Sequence, residues 1–149
     1  MKAIVQRVEK ASVDVENAGT RSIGPGLMVL LGVARGDTRE DAEYLIRKIT
    51  GMRIFKDSEG RMNKSVMDIE GEVLVVSQFT LMAATRKGNR PSFDPAAPPE
   101  EAKPLYETFL NILEDTMGRR PAVGEFGAYM KVSLVNDGPV TIPLDSRAR

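Results

Sequence analysis

The chain has 149 residues, with 21 basic and 21 acidic side chains and a formal net charge of zero. Its hydrophobic share of 42% and charged share of 28% are ordinary for a globular protein, which excludes a disordered or fibrous chain. This length suits one folding unit, so we expect a single domain over residues 1–149. The balanced charge argues against an extended nucleic-acid surface, whereas a small local contact with RNA stays open.

Two absent residue types restrict the chemistry. The sequence contains no cysteine and no histidine. Disulfides, thiolate nucleophiles, metal sites built on either residue and all mechanisms with a histidine base are therefore excluded. An enzyme of this composition must work with hydroxyls, carboxylates, lysines, backbone amides, a bound cofactor or groups of its own substrate.

No apolar run approaches the roughly 20 residues that a membrane helix needs. The first residues also reach charged side chains before a signal-peptide core is complete. We therefore expect a cytoplasmic protein without membrane contact.

Residue patterns along the chain predict strands and two helices in an irregular order. Period-two alternation over the first fifteen residues predicts a pair of strands, and the unbroken apolar run at 27–33 predicts a central strand. Asp37, with Glu40 three residues later, predicts the start of a helix that ends at Gly51. Further elements are predicted at 52–55, 72–79, 99–117 (the second helix), 129–135 and 140–142.

Seven or so strands and two helices that do not alternate strictly predict an α+β fold. We expect a layered β/β/α sandwich of mostly antiparallel strands, with both helices on one face. The segment 83–99, rich in Arg, Lys, Gly, Asn and Pro, is predicted to be a long loop. Long loops in compact domains are usually functional or mobile, so this one is a candidate site.

Polar side chains follow the second buried strand where it meets a loop. Ser77, Gln78 and Thr80 are suited to binding a small polar ligand, and backbone N–H groups around Phe79 are suited to stabilising an oxyanion. Pattern alone favours a plainer interpretation, in which the strand simply ends in a turn.

Two further features point to fixed backbone. Asn136-Asp137-Gly138-Pro139 is composed of ordinary turn formers, but a Gly-Pro bond adopts the cis form at modest cost and would then hold successive carbonyls in place. Fixed carbonyls suit an ammonium group, while a connecting turn is the simpler alternative.

Arg7 lies inside the first strand pattern, where a cation needs partners. It either orients a backbone loop or lies exposed at an edge.

The long loop holds three cations and an aromatic ring within eight residues. Arg86, Lys87 and Arg90, with Phe93, suit phosphate contact or base stacking at an RNA end. A solvated loop with incidental charge is the simpler explanation.

Taken in order, these segments resemble the D-aminoacyl-tRNA deacylases, the D-Tyr-tRNA deacylase family. Each motif is short, but the ordered set is specific and extends over almost the whole chain. The segments that carry the resemblance are 6–8, 11–13, 53–55, 62–63, 77–81, 88–93, 126–128 with Met130, and 136–141.

The resemblance implies a hydrolase that cleaves the ester of D-aminoacyl-tRNA, and of mischarged glycyl-tRNA, and so proofreads the chirality of translation. It implies no cofactor or metal, the aminoacyl-tRNA 3' end as partner, and a homodimer with its sites at the subunit interface. Ser77, Gln78, Phe79 and Thr80 match the catalytic pocket segment.

The same resemblance implies how chirality is judged. Gly138 and Pro139 match a cis pair that reaches into the partner's pocket, holds the substrate amino group and collides with an L side chain. The other substrate-binding matches are Arg7, Phe126, Ala128, Met130 and Asn136. Thr80, water or a ribose hydroxyl of the substrate could be the attacking or assisting group, and the lack of histidine favours the ribose hydroxyl.

Two other classes of function compete with this one. An inert RNA- or protein-binding module can reuse the same fold, although retention of both pocket segments argues against it. A general esterase with a Ser or Thr nucleophile lacks its usual histidine base here, and no Gly-x-Ser-x-Gly segment occurs.

Overall fold

A long first strand organises the sheet. In the computed structural model, which describes residues 1–148, strand β1 (Lys2–Val15) pairs along its length with β8 (Met130–Asp145). On its other edge the first half of β1 pairs with β3 (Gly26–Gly32) and the second half with β2 (Gly19–Ile23), all antiparallel. The two pairings on that edge keep one register, whereas the pairing of β1 with β8 shifts on either side of Val8, where residues 137–140 of β8 form a loop within the strand.

The sheet continues from β3 in the parallel sense. Strand β6 (Glu72–Ser77) lies parallel to β3, and β7 (Ala122–Val123) lies parallel to β6. The order is β2-β1-β3-β6-β7, with β8 on the free edge of β1, and a separate hairpin joins β4 (Phe55–Lys56) to β5 (Met62–Lys64). Because β2 also approaches β6 and β7, the mixed sheet curls into a nearly closed barrel.

Both helices cover one face of this sheet. Helix α1 (Arg39–Gly51) and helix α2 (Pro99–Met117) pack on each other and share one apolar core with alternate residues of β3, such as Val29. Met28, on the opposite face, belongs to a second core inside the curl of the sheet. The buried apolar residues of the helices are Ala42, Leu45, Ile46, Ile49, Ala102, Tyr106, Phe109 and Leu113.

The predicted α+β class and the two helices are confirmed, in a single domain. Most strand pairings are antiparallel as expected, but two parallel pairings make the sheet mixed. The sheet curls toward a barrel instead of forming the separate layers of a sandwich, and the predicted strand pair over 1–15 is one continuous strand. No helix within residues 1–148 is long and apolar enough to span a membrane.

Helix α1 begins one residue later than predicted. Thr38 is the N-cap, and its capping box is completed by Asp41, whose carboxylate accepts from the Thr38 N–H at 2.8 Å. Asp37 instead accepts hydrogen bonds from the Ala34 N–H and from Arg147. Asp37 therefore binds residues elsewhere in the fold and does not cap the helix as the local pattern predicted.

The capping box predicts how acid affects stability. Desolvation raises the pKa of Asp41, but hydrogen bonds from Thr38 and Ser146 outweigh it and hold the pKa at about 2, below the ordinary 3.8. A carboxyl with a lowered folded pKa stabilises the fold above its unfolded pKa, and this contribution is lost as the pH falls through the folded value. We therefore expect Asp41→Asn to flatten the fall in stability between about pH 4 and pH 2.

Urea unfolding at several pH values measures this effect. Glu40→Gln removes a charge from the same helical turn outside the capping box and should keep the wild-type slope. An unchanged slope in Asp41→Asn would contradict the assignment.

Candidate active site

A cavity of about 640 Å³ opens at the carboxyl end of β6. This size suits a small-molecule ligand or the end of a larger one. Its walls come from the end of β6, the loop before α2 and the segment that leads into β8. Six of the predicted site residues line it: Ser77, Gln78, Phe79, Phe126, Ala128 and Met130.

The end of β6 presents backbone N–H groups beside the cavity. The Gln78 N–H donates to the Leu31 carbonyl at 2.7 Å, and a turn of 3₁₀-helix follows at Phe79–Met82, so the strand ends two residues earlier than predicted. The N–H groups of Phe79 and Thr80 open this turn and have no preceding carbonyl within it. Thr80 lies beside the cavity, outside its lining, and its hydroxyl accepts a hydrogen bond from the Gln78 side-chain amide.

Aromatic rings form part of the cavity wall. Phe79 and Phe93 meet edge to face with ring centroids 5.1 Å apart, although the two side chains are 55% and 36% exposed. Phe126 packs on Tyr106 with ring centroids 5.8 Å apart. Tyr106 is buried, and this burial raises its pKa to about 12. The part of the cavity wall at Phe126 therefore packs on the core around α2, whereas the Phe79–Phe93 pair is open to solvent.

Met130 is held in place by a glycine that sequence reasoning missed. The Glu125 N–H points at the Met130 sulfur at 3.3 Å. A Cβ at Gly124 would lie 2.5 Å from that sulfur, so any other residue there would displace the thioether. The only sequence signal was a glycine shortly before Phe126, which does not reveal a contact with Met130.

Arg7 is buried and binds backbone, as one of its two interpretations predicted. Its side chain is 5% exposed; Nε donates to the Asp137 carbonyl at 3.0 Å, and Nη1 donates to the Ile54 carbonyl. Nε also lies 3.2 Å from the Asp137 carboxylate, whose side chain is 59% exposed. The guanidinium thus ties β1 to the loop at 136–139 and to the chain before the β4–β5 hairpin.

The loop at 136–139 is fixed from within as well. The Asn136 side chain accepts from the Val140 N–H at 3.1 Å and donates to the Thr141 hydroxyl at 3.0 Å. The Gly138-Pro139 bond is cis, as the resemblance implied. Gly138 has a φ of +132°, and a Cβ there would lie 2.8 Å from Arg7 Nη2, so the position requires glycine.

One chain does not bring the cavity and this loop together. Neither Gly138 nor Pro139 lines the cavity. Met130 at the cavity and Asn136 at the loop are six residues apart on β8, a separation of about 20 Å along an extended strand. The structure therefore assembles two groups, one around Ser77 and Phe126 and the other around Arg7.

The predicted cationic loop is closed at its base. Ala84 and Ser92 exchange backbone hydrogen bonds of 2.8 and 3.0 Å, which leaves 85–91 as an exposed loop. Arg86 lines a second cleft, whereas Lys87 and Arg90 line neither that cleft nor the cavity.

Replacement of Arg7 tests its hold on the loop. We expect Arg7→Met to speed amide exchange at Val140, because the loop loses its anchor at the Asp137 carbonyl while the strand remains. Hydrogen exchange followed by NMR measures it. Asp137→Asn is the matched control: it keeps the carbonyl acceptor and removes only an exposed ion pair, which is worth little. Faster exchange in the control alone would contradict the carbonyl anchor.

Comparisons with known proteins identify relatives over almost the whole chain. A family model described as D-Tyr-tRNA(Tyr) deacylase matches residues 4–145. A D-aminoacyl-tRNA deacylase from Opitutus terrae is 59% identical over 149 residues, covering 100% of this chain and 99% of the relative. A protein of the same name from Dehalococcoides mccartyi is 58% identical, covering 100% of this chain and 97% of the relative.

Two solved structures share the fold. One, described as a c-Myc DNA unwinding element binding protein, is 47% identical with a TM-score of 0.90, covering 97% of this chain and 98% of the other. The second, a probable eukaryotic D-amino acid tRNA deacylase, has a TM-score of 0.82 at 19% identity, covers 96% and 97% of the two chains, and supports the fold alone. From its family match and full-length relatives, the chain belongs to the D-Tyr-tRNA(Tyr) deacylase family.

Proposed function

We propose that this chain is a D-aminoacyl-tRNA deacylase, which hydrolyses the ester between a D-amino acid, or a mischarged glycine, and the terminal ribose of tRNA. The observation that carries the proposal is 59% identity over all 149 residues to a protein named for that activity. Water adds to the ester carbonyl, the bond from the carbonyl carbon to the ribose oxygen breaks, and that oxygen takes up a proton. Its substrate places the enzyme in the cytoplasm.

The catalytic set is Ser77, Gln78, Phe79 and Thr80. In our proposal the N–H groups of Phe79 and Thr80 donate to the oxyanion that develops on the ester carbonyl. The Thr80 hydroxyl accepts a hydrogen bond from the Gln78 amide, which is a donor and cannot act as the base that would remove the hydroxyl proton. The chain has no histidine to serve as a base. We therefore assign the assisting role to the neighbouring hydroxyl of the substrate ribose, with Thr80 positioning water.

Replacement of Thr80 separates these roles. We expect Thr80→Ala to retain measurable single-turnover hydrolysis of D-Tyr-tRNA, with a loss of about tenfold to a hundredfold for a positioning group. Thr80→Ser keeps the hydroxyl and should stay close to wild type. Complete loss in Thr80→Ala, with binding and fold intact, would make Thr80 the nucleophile and overturn substrate assistance.

Chirality is judged by main chain in this proposal. The carbonyls of Gly138 and Pro139 hold the substrate ammonium group, so an L side chain meets the backbone while a D side chain points outward. Arg7 and Asn136 support this role because they fix the loop. Phe126, Ala128 and Met130 form the opposite wall. Glycine has no side chain to collide, so its ester is cleaved too.

The site takes its loop from a second copy of the chain. Strand β8 has 16 residues and pairs only with β1 within residues 1–148, so one edge is left unpaired. Tyr129, Val132 and Val135 are exposed along this strand or just before it. Such a long edge normally needs a cover, and a homodimer would supply one. It would also bring the loop of one subunit to the cavity of the other.

Complementation tests the shared site. Ala128→Trp fills the cavity and Gly138→Trp displaces the loop, so we expect each homodimer to be inactive. When the two are co-expressed, the mixed dimer pairs an intact cavity with an intact loop and should recover about a quarter of wild-type activity, from half the dimers with one working site each. Purified mixed dimers without recovery would contradict a loop supplied in trans.

Enantiomer selectivity separates the three functional classes. We expect release from D-Tyr-tRNA and glycyl-tRNA, much slower release from L-Tyr-tRNA, and no special activity on an activated phenyl ester. Binding without release would favour an inert RNA-binding module. Cleavage of the phenyl ester without enantiomer preference would favour a general esterase. The exposed cations Arg86, Lys87 and Arg90 contact RNA in this proposal.

A further inference from the structure

A second cleft, of about 470 Å³, lies next to the cavity. The two are separated by the bridge between Ala34 and Ala96, which packs with Met82 in a small apolar cluster. Ala34 and Met82 line the second cleft, whereas Ala96 lines the cavity. The two hollows are therefore neighbours with a common wall.

The cleft is lined by more positive than negative charge. Lys2, Arg86 and Arg147 line it, and Asp145 is the acidic side chain among the lining residues. Within residues 1–148 neither Lys2 nor Arg86 forms an ion pair, and both are exposed. Arg147 is held by the Asp37 carboxylate at 2.9 Å while its side chain stays 54% exposed. Two cations without an ion-pair partner, next to Arg147 with one, suit an anion that has more than one charged group.

We infer that this cleft binds backbone phosphates of the tRNA 3' strand just before its terminal adenosine. The inference rests on the proposed function. The chain from the 3₁₀ turn at Phe79–Met82 to Arg86 runs without interruption from the catalytic segment to the cleft. An RNA strand with its last nucleoside in the cavity therefore has the cleft's cations within reach of its preceding phosphates.

A third cleft provides a matched control. Arg119 and Arg120 line it together with Glu72, at the opposite end of β6 from Ser77. It carries similar cations but has no shared wall with the cavity. Removing the two cations of the third cleft measures how a general loss of positive charge affects tRNA binding.

Two substrates with the same ester bond isolate the phosphate contribution. D-Tyr-tRNA carries phosphates, and the D-tyrosyl ester of adenosine carries none. We expect the double variant Lys2→Ala/Arg86→Ala to lose about fivefold to tenfold in kcat/KM on the tRNA substrate and to keep the wild-type value on the adenosine ester. The dependence of log kcat/KM on log salt should become shallower by about 1.4, because each single-strand phosphate that a cation neutralises accounts for about 0.7 of the slope.

Two further variants fix the sign of the effect. Arg119→Ala/Arg120→Ala should leave both substrates unchanged. Asp145→Asn removes the negative charge from the lining but keeps an oxygen that accepts from the Arg147 N–H, so we expect faster hydrolysis of the tRNA substrate alone.

Three results would overturn the inference. They are an equal loss on both substrates, an unchanged rate and salt slope on tRNA, and an equal loss in the Arg119/Arg120 control. In each case D-selective hydrolysis by the wild type would still support the proposed deacylase. A wild type inactive on both substrates would instead refute the proposed function.

Discussion

The site depends on one buried cation. Arg7 lies within β1 with its guanidinium removed from water, and such a group is tolerated only when its donors are satisfied. The Asp137 carbonyl accepts from Nε and the Ile54 carbonyl from Nη1, so the core of the sheet fixes a loop 130 residues away in sequence. Gly138 fits against the same guanidinium. The loop is thereby part of the rigid scaffold, and discrimination by backbone shape needs that rigidity.

The sheet explains why the remaining parts lie where they do. Parallel pairing of β6 with β3 brings the end of β6 to the Ala34–Ala96 bridge, where the cavity and the cationic cleft adjoin. Strand β8 pairs with β1 from Met130 at the cavity to the loop near Pro139 and beyond it. A single chain therefore presents a cavity without its loop, and the proposed dimer resolves that separation.

Hydrophobic patterns and glycines predicted the elements that form from interactions between residues close in sequence. The central apolar strand follows from its unbroken hydrophobic run, and the end of α2 follows from Gly118, whose φ is +67°. Helix α1 also stops at Gly51 as predicted, but its C-cap is Met52 in an extended conformation, so glycine conformation does not explain that end. The alternation of residues changes phase between Val8 and Ala11, which predicted two strands, whereas one strand runs through a register shift there. The sequence did not reveal β7, whose two residues pair through tertiary packing, or that Asp37 binds Arg147 instead of capping α1.

The motifs predicted candidate site residues but not their grouping. The segments around Ser77, Phe126 and Gly138 were recognisable from their order, whereas the gap between the loop and the cavity of one chain is a property of the folded strand β8. The cationic cleft was invisible as well, since Lys2, Arg86 and Asp145 meet only in three dimensions.

The central claim is that the main chain of Gly138 and Pro139, and not a tailored side-chain pocket, decides which ester is cleaved. Deacylation rates measured over a series of tRNAs charged with D-Ala, D-Asp, D-Tyr and their L counterparts test it most directly. We predict D rates that differ little with side-chain size or charge, and L rates that are uniformly low. Rates that follow the chemistry of the side chain in both series would contradict it.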